Sequence, residues 1–580
     1  MPRRNCYTLN EAVSLLENDD EYIDVNEQVD IVVIPPGTSG DVTDEENIDE
    51  NNLGDNTELP QDTAGTSELH YVKPIHLKKK TKDKKPFVKW TKSVKPKFEL
   101  SPKSDQDRNV EVLSNQLGDK SEFEIFSMLF DDDLLSLIQS ESEKYAHQNN
   151  RLDFRLPLYL LKRFIGFLIL SGYHSFPREE MFWETAEDAG LLLVRQGFSR
   201  NQYRSIKRNI HLADNSQNAN SDKMYKVRQF IEALNQKFQH FGITETHLSI
   251  DEQMVPYFGR HSSKMFIRNK PIRFGFKLWC LCSSTGFLYK CIPYCGKSEF
   301  LDPNLGLGGS VVAELVSVIP KPEEHEVYFD NFFTSHSLLM HLHSMKICAT
   351  GTVREQRLQK CSLDPMGKAE RGAYDWAFDP NGKVLAVKWK DNANVCISSN
   401  FTGIEPIQPV KRFSQSQKKY VNVPQPYMIR TYNHCMGGVD LHDAFIAKYR
   451  IKVKGKKWWW PLFTNMIDST VVNAWRLFRL THDDRQDLLH FRRVIAKTLL
   501  TTEKPLNEEV KDPIVSQLGR PTLLQICSKP DVGERNHSIT KREKRLRCRF
   551  CKSQTIYACS ACNVGVHPKC FSRYHRRQYL

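Results

Sequence analysis

Apolar residues recur every three to four positions once the chain passes residue 121. Phe123, Phe126, Phe130, Leu134 and Ile138 make one such stripe, and Val227, Phe230, Leu234 and Phe238 make another. That spacing is the helical period with one face turned to a core. Leu158–Ser171 is apolar nearly all round and predicts a buried helix, while 200–212 predicts an amphipathic one. The period changes at Thr246. Short apolar runs at 247–250, 273–282, 287–292 and 327–329, separated by glycine and proline, predict strands, with a helix over 310–318 between the last two. Strands and helices in this order suggest an α/β layer. A more polar stretch, 357–425, adds strands at 372–378 and 384–389, ends in a Ser/Gln/Lys loop at 414–419, and reads as an insertion. Helices return at Gly438–Lys448, 461–481 and 487–501.

Composition changes the picture at the two ends. With 580 residues the chain exceeds one hydrophobic core, so roughly three to five units are expected. A hydrophobic fraction of 40% excludes wholesale disorder. No run of about 18 uncharged apolar residues occurs, and no apolar segment follows Arg3 and Arg4. A soluble intracellular protein is expected. Net charge is only +12, but it is unevenly spread: 1–70 is acidic at roughly −16, lysines dominate 71–98, and 541–580 carries roughly +10. Residues 1–105 are expected to be disordered, with a short helical patch at 9–16. Clustered cations suit a polyanion partner, since each one placed at a phosphate releases counterions. The lysines of 78–85 also suit a nuclear-entry signal or a solvated face.

Three aspartates carry the candidate chemistry. Asp251 ends Leu248-Ser249-Ile250, and Asp330 ends Val327-Tyr328-Phe329. Asp440 and Asp443 share one face at the start of a helix. Carboxylates that converge from separate elements can hold Mg²⁺ or Mn²⁺, and two such ions activate an attacking oxygen and stabilise a leaving one in phosphodiester displacement. A lone strand-end or helix-start aspartate is more often a cap. Around them lie cations. Arg260, Lys264, Arg268, Lys270, Arg273 and Lys277 follow Asp251, and Lys454, Lys456 and Lys457 precede Trp458-Trp459-Trp460. Alternation along strands puts part of the first group on one exposed face, where it would position phosphates. Cations beside indoles can hold a backbone while a ring stacks on an unpaired base. Trp458 is the expected stacker, and Trp459 and Trp460 are expected core anchors. Arg354 and Arg357 are weaker candidates.

Five of the 15 cysteines lie close together: Cys548, Cys551, Cys559, Cys562 and Cys570, interleaved with His567 and His575. In a reducing compartment this spacing indicates zinc. Alternating pairs suggest a cross-braced module, with Cys548, Cys551, His567 and Cys570 at one ion and Cys559, Cys562 and His575 at the other. His537 is the best candidate for the missing eighth ligand, ahead of Cys527. The module could read DNA or bind protein. Cys280, Cys282, Cys291 and Cys295 read as ordinary strand residues.

These motifs resemble those of piggyBac-type transposases. Asp251-Glu252-Gln253-Met254, Pro256-Tyr257-Phe258-Gly259-Arg260 and Lys270-Pro271-Ile272-Arg273-Phe274-Gly275-Phe276-Lys277 resemble the first catalytic block, and Asp330-Asn331-Phe332-Phe333-Thr334-Ser335 the second. Gly437-Gly438-Val439-Asp440 with Asp443, then Gly455-Lys456-Lys457-Trp458, resembles the third. Phe164-Ile165-Gly166 and Ser171-Gly172-Tyr173 resemble the family's helical domain, and the acidic N-terminal arm resembles the vertebrate-type piggyBac-derived proteins. The likeness runs from about residue 120 to the C-terminus.

The resemblance implies a ribonuclease-H-like α/β core with a mixed sheet (246–356 and 426–449) and an Asp251, Asp330, Asp440 triad, with Asp443 as a fourth acid near the metals. It implies an inserted β-rich domain (357–425) and a split all-helical dimerisation and DNA-binding domain (106–245 and 450–505). A linker (506–536) then leads to a small cross-braced zinc domain (537–580) that reads terminal repeats. Where the insect founder's zinc pattern ends in a further cysteine pair, this chain has Gln578. Implied partners are double-stranded DNA with inverted terminal repeats and a TTAA target, and a second copy of the chain; chromatin proteins are candidate partners of the zinc module, and the basic segment sets the expected location in the nucleus. Three functions compete: a transposase, a host-adopted DNA-binding protein without catalysis, and an adaptor that works through its zinc module.

Overall fold

The computed structural model describes residues 29–34, 66–71, 88–93, 96, 98, 106–217, 222–267, 272–296, 301–415, 417–482, 486–505, 538–551, 553–560 and 564–576. It divides into two units, Met1–Glu509 and Val510–Leu580, taken separately below. Among the described residues no helix is long and apolar enough to cross a membrane. The expected helical patch at 9–16 lies outside the described residues.

The acidic arm corrects one expectation. Within 1–105, β1 (Val29–Ile34) and β2 (Thr66–Tyr71) pair antiparallel, and β1 adds onto the edge of the main sheet. Val29-Asp30-Ile31-Val32-Val33-Ile34 is a β-branched run whose signal the surrounding acids obscure. Farther on, Thr91 bridges to Phe378 and Lys92 donates to Asp375 at 2.7 Å, so this part of the arm is also tied down.

Helices follow as the apolar stripes require: α1 (Gln106–Leu117), α2 (Glu122–Leu129), α3 (Asp132–Gln148), α4 (Leu158–Ser171), α5 (Leu192–Gly197), α6 (Arg200–Asn209) and α7 (Tyr225–Gln239). Ser121 with Glu124, and Ser199 with Gln202, form reciprocal capping boxes that start α2 and α6.

The sheet then begins with β3 (His247–Pro256), β4 (Met265–Phe266), β5 (Phe274–Ser283) and β6 (Leu288–Pro293). After α8 (Gly306–Val316) come β7 (Glu326–Phe329), α9 (His336–Ser344) and β8 (Cys348–Thr352). β3, β7 and β8 run parallel, whereas β5 lies antiparallel to both β3 and β6, so the sheet is mixed. Asp251 does not end its strand. β3 continues five residues to Pro256, because Glu252, Gln253, Met254 and Val255 are all buried and the strand is covered on both faces.

Next come β9 (Tyr374–Asp379), β10 (Val384–Lys390), β11 (Asn394–Ser399), β12 (Gln408–Ser414) and β13 (Lys419–Gln425). The expected insertion has its own apolar cluster around Trp389, Ile397 and Val423. It is not separate from the core sheet, however, since β11 pairs with β8 and carries β10 and β9 onto the same sheet.

The unit closes with α10 (Tyr427–Cys435), α11 (Gly438–Lys448), α12 (Trp460–Thr481) and α13 (Leu488–Leu500). These last helices pack back onto the first ones. A Cβ on Gly166 of α4 would stand 2.7 Å from the Leu499 Cβ of α13, and Phe164 meets Trp460 edge-on. A fully buried ion pair joins α12 to α13, Arg492 Nη2 to Asp468 Oδ1 at 2.5 Å. Asp468 also accepts from the Ile451 amide at 3.0 Å, and Arg492 donates to the Ile169 carbonyl at 3.1 Å.

The second unit holds β14 (Ile539–Arg547), β15 (Gln554–Cys559) and α14 (Pro568–Arg576), the strands forming an antiparallel pair.

Candidate active site and metal centre

Parallel pairing of β3 with β7 sets Ile250 opposite Phe329, so the next residues, Asp251 and Asp330, leave the two strands at neighbouring positions. Each carboxylate is oriented locally. Asp251 Oδ1 accepts from the Glu252 amide at 2.7 Å, and Asp330 Oδ1 from the Phe332 amide at 2.9 Å. The loop after Asp330 is braced by Arg357, which donates to the carbonyls of Asn331 at 2.9 Å and Phe332 at 2.5 Å, and by Arg354, which donates to Asn331 Oδ1 at 3.3 Å.

The third acid arrives on α11. Gly438 is required there by close approach: a Cβ on it would collide with the Ser283 carbonyl of β5 and Ser249 Oγ of β3. With glycine in place the helix start rests on both strands, and Asp440 stands exposed in its first turn, where the helix dipole favours negative charge. One turn on, Asp443 accepts from Gln253 Nε2, and Gln253 in turn accepts from Asn465 Nδ2 at 3.0 Å. Gln253 and Asp251 are two apart on β3 and so share a face.

Tyr432 of α10 registers all three acids at once. Burial first, and then the charges of Asp330, Asp251 and Asp440, hold its phenol well above the usual range, while a contact with Thr352 Oγ1 at 3.4 Å opposes them.

The cations divide by burial. Arg260, Arg273 and Lys454 are exposed and Lys456 is half-buried. Arg268 and Lys270 lie outside the described residues. Three expectations are corrected. Lys264 is buried and donates to the Gly259 carbonyl at 2.9 Å, and burial lowers its pKa to about 8. Lys277 is buried in β5 with its ammonium 3.9 Å from the Trp279 ring centre. Lys457 turns inward and donates to the carbonyls of Arg208 at 3.0 Å and Ile210 at 2.8 Å at the end of α6, an interaction its dipole favours. None of these three ammonium groups is presented to a phosphate. Trp458 is half-buried and lies against His261, ring centres 4.3 Å apart. Trp459 and Trp460 are buried, as expected of core anchors. Cys280, Cys282 and Cys291 are buried strand residues, as expected, and Cys295 is half-buried.

In the second unit, Cys548 and Cys551 at the β14–β15 turn meet His567 and Cys570 at the start of α14. One ligand atom from each lies within 4.8 Å of the other three, a closeness that no other group of acids, histidines or cysteines among the described residues reaches. His567 Nδ1 stands 3.3 Å from Cys551 Sγ while its Nε2 contacts the Gln554 carbonyl at 2.9 Å. That second contact fixes the ring with Nδ1 toward the sulfurs. Burial alone would raise the Cys548 thiol, but backbone N–H groups of Cys551 and His567 bring it down to about 6, which favours the thiolate a metal needs. Three sulfurs and one imidazole nitrogen fit a tetrahedral ion. Cys559 is buried at the end of β15. Cys562, His537 and Cys527 lie outside the described residues, as does the side chain of His575.

Residues 121–475 match the family model described as transposase IS4. The chain is 35% identical over 624 residues to human PiggyBac transposable element-derived protein 3, covering 99% of this chain and 100% of that one. It belongs to the piggyBac-type transposase family. Human PiggyBac transposable element-derived protein 2 is also 35% identical, over 570 residues covering 94% of this chain and 93% of the relative. A solved piggyBac transposase, determined as a synaptic complex with hairpin DNA, shares the fold with a TM-score of 0.55 at 19% identity, over 77% of this chain and 96% of that one.

Sequence reasoning missed Gln253, Asn465 and Tyr432. Gln253 was visible only as a polar residue beside an acid, and no spacing rule links it to Asp443 or Asn465, which reach it from other elements.

Proposed function

We propose that this chain is a metal-dependent DNA transposase that cuts at inverted terminal repeats and joins the ends at TTAA sequences. The observation that carries the reading is the parallel β3–β7 register that sets Asp251 beside Asp330, with Asp440 brought in on α11, whose start rests on β3 and β5. Family membership supports it, as does the strand order β6-β5-β3-β7-β8, which suits a ribonuclease-H-like core. Asp251, Asp330 and Asp440, with Asp443 beside them, would hold Mg²⁺ or Mn²⁺; oxygen-only donors on separate elements suit such ions. Bound there, divalent ions supply activation of an attacking oxygen and stabilisation of a leaving one. The chain's own part is orientation. The Glu252 and Phe332 amides aim two carboxylates, Arg357 holds the loop behind Asp330, and exposed Arg260, Arg273 and Lys454 would take the phosphate backbone. Trp458 would stack on an unpaired end base only from its exposed side.

The Cys548, Cys551, His567, Cys570 group would hold zinc, and Cys559, Cys562, His575 and His537 a second ion in a cross-braced module that reads the repeats. We place the chain in the nucleus as a homodimer. A DNA-binding, non-cleaving derivative is the second reading, favoured by relatives that are called transposable element-derived.

The deciding experiment incubates the full chain with Mn²⁺ or Mg²⁺ and DNA carrying the repeats that flank its gene. Nicked and hairpin products establish the transposase. Binding without any product establishes the derivative.

A further inference from the structure

The Ser/Gln/Lys loop noted at 414–419 is the turn of a hairpin that takes no part in the site described above. β12 and β13 form a separate two-stranded sheet. Its inner face is anchored. Val410, Val421 and Val423 pack with the cluster around Trp389, whose Nε1 donates to the Pro424 carbonyl at 2.8 Å. Arg412 faces Asp391 at 3.2 Å, and Arg371 donates to the Phe413 carbonyl at 3.2 Å.

The outer face is different. Phe413 and Tyr420 stand directly opposite each other, ring centres 5.5 Å apart and near-perpendicular, and they are 49% and 72% exposed. Lys411 shares this face two residues before Phe413, and Lys418 and Lys419 stand at the turn beside Tyr420, all three exposed. Residues 408–425 contain no acid. Scattered exposed apolar residues are ordinary. A paired set of rings at the end of an anchored hairpin, with lysines beside it and no acid of its own, is a surface suited to a partner that offers both negative charge and flat faces.

We propose that this hairpin is a DNA-contacting element: Lys411, Lys418 and Lys419 meet phosphates, and the Phe413–Tyr420 pair stacks on bases of an unpaired or opened segment. Phosphates alone would need only the lysines, and the carboxylates of an acidic peptide would leave the rings unused. Nucleic acid presents both, and every base has a π-face. The assignment rests on the DNA-acting reading above and adds to it a contact outside the carboxylate site.

The test measures binding of the full chain by fluorescence anisotropy in EDTA, so that no strand is cut. The probes are a labelled duplex and the same duplex with an unpaired stretch, each titrated across salt. The triple variant Lys411→Ala/Lys418→Ala/Lys419→Ala is expected to make the slope of log K against log salt shallower by about 2 to 3, at about 0.9 per phosphate contact. The double variant Phe413→Ala/Tyr420→Ala is expected to lose about tenfold affinity for the unpaired probe and to lose less on plain duplex. Both variants alter exposed side chains, and a thermal midpoint matching the parent's confirms the fold. A parent that binds with both variants unchanged overturns this inference alone. So does a variant that alters self-association in sedimentation while DNA affinity holds, since the partner is then a second copy. A parent that binds neither probe overturns the transposase reading and this inference together.

Discussion

Ile250 of β3 sits opposite Phe329 of β7 in parallel register, and this one pairing decides where Asp251 and Asp330 stand. Their separation is set by a backbone ladder, not by flexible side chains, so two of the three acids come prepositioned. Asp440 depends instead on how closely α11 settles on β3 and β5, and Gly438 governs that.

Gly438→Ala is therefore expected to damage the site without removing an acid. The new methyl collides with the Ser283 carbonyl and Ser249 Oγ, so α11 must shift. Overpacking of this kind costs about 1–3 kcal/mol of stability. An ångström of misplacement lowers cleavage about a hundredfold. Calorimetry and a cleavage rate on the same preparation check both, and an unimpaired rate would show that Asp440 needs no such close seat.

The Arg492–Asp468 pair ties α12 to α13 from inside, and Arg492 also holds the Ile169 carbonyl of α4. Asp468→Ala leaves a buried guanidinium uncompensated, an expected loss of about 3–5 kcal/mol. Replacing both, as Asp468→Leu with Arg492→Met, is expected to cost clearly less than either single change. Denaturant midpoints for the three variants measure this, and equal losses would mean that the pair is not coupled.

His261 gives a pH dependence. Burial, before any other influence, lowers its pKa from 6.5 to about 4. Its Nδ1 accepts from the Ser263 amide at 3.1 Å, which suits a neutral ring. The unfolded chain takes up this proton near pH 6.5 and the folded chain only near 4. The stability His261 contributes is thus full above 6.5 and is lost as pH falls toward 4, up to about 3 kcal/mol. His442, lowered to about 4 by burial, acts in the same direction. His261→Phe, which keeps a ring against Trp458, is expected to flatten the fall in melting temperature between pH 6.5 and 4. A slope identical to the parent's would contradict it.

Much of this architecture was legible before any coordinates. The helix Leu158–Ser171 and the helix Gly438–Lys448 were bounded correctly, because an apolar block and a Gly-Gly start are local signals. Asp487 and Thr501, read as helix ends, are the caps of α13. What failed was non-local. Nothing in 394–399 announces that it will pair with 348–352, yet that pairing joins the insertion to the core sheet. Lys264, Lys277 and Lys457 read as surface cations, since charge normally means exposure. They are buried because a carbonyl, an indole face and a helix end, all supplied by the fold, accept their ammonium groups. Of the candidate site, Asp251 and Asp330 lie at neighbouring positions of the parallel β3–β7 pair, whereas the contacts of Gln253, Asn465 and Tyr432 were not legible, since each is made with residues distant in sequence.

The cysteine cluster leads to a metal prediction. The purified full chain is expected to carry zinc, and Cys551→Ser or His567→Ala to lower its zinc content by atomic absorption while leaving Met1–Glu509 folded. Full zinc content in both variants would remove the assignment of this group as a metal centre.

The central claim, that three acids from separate elements serve one reaction, is tested most directly by Asp330→Asn. This change keeps the shape of the side chain and its acceptor oxygen for the Phe332 amide, and removes one charge. With repeat-bearing DNA and Mn²⁺, cleavage is expected to vanish while binding of the same DNA in EDTA is unchanged. Cleavage at the parent's rate would contradict the account.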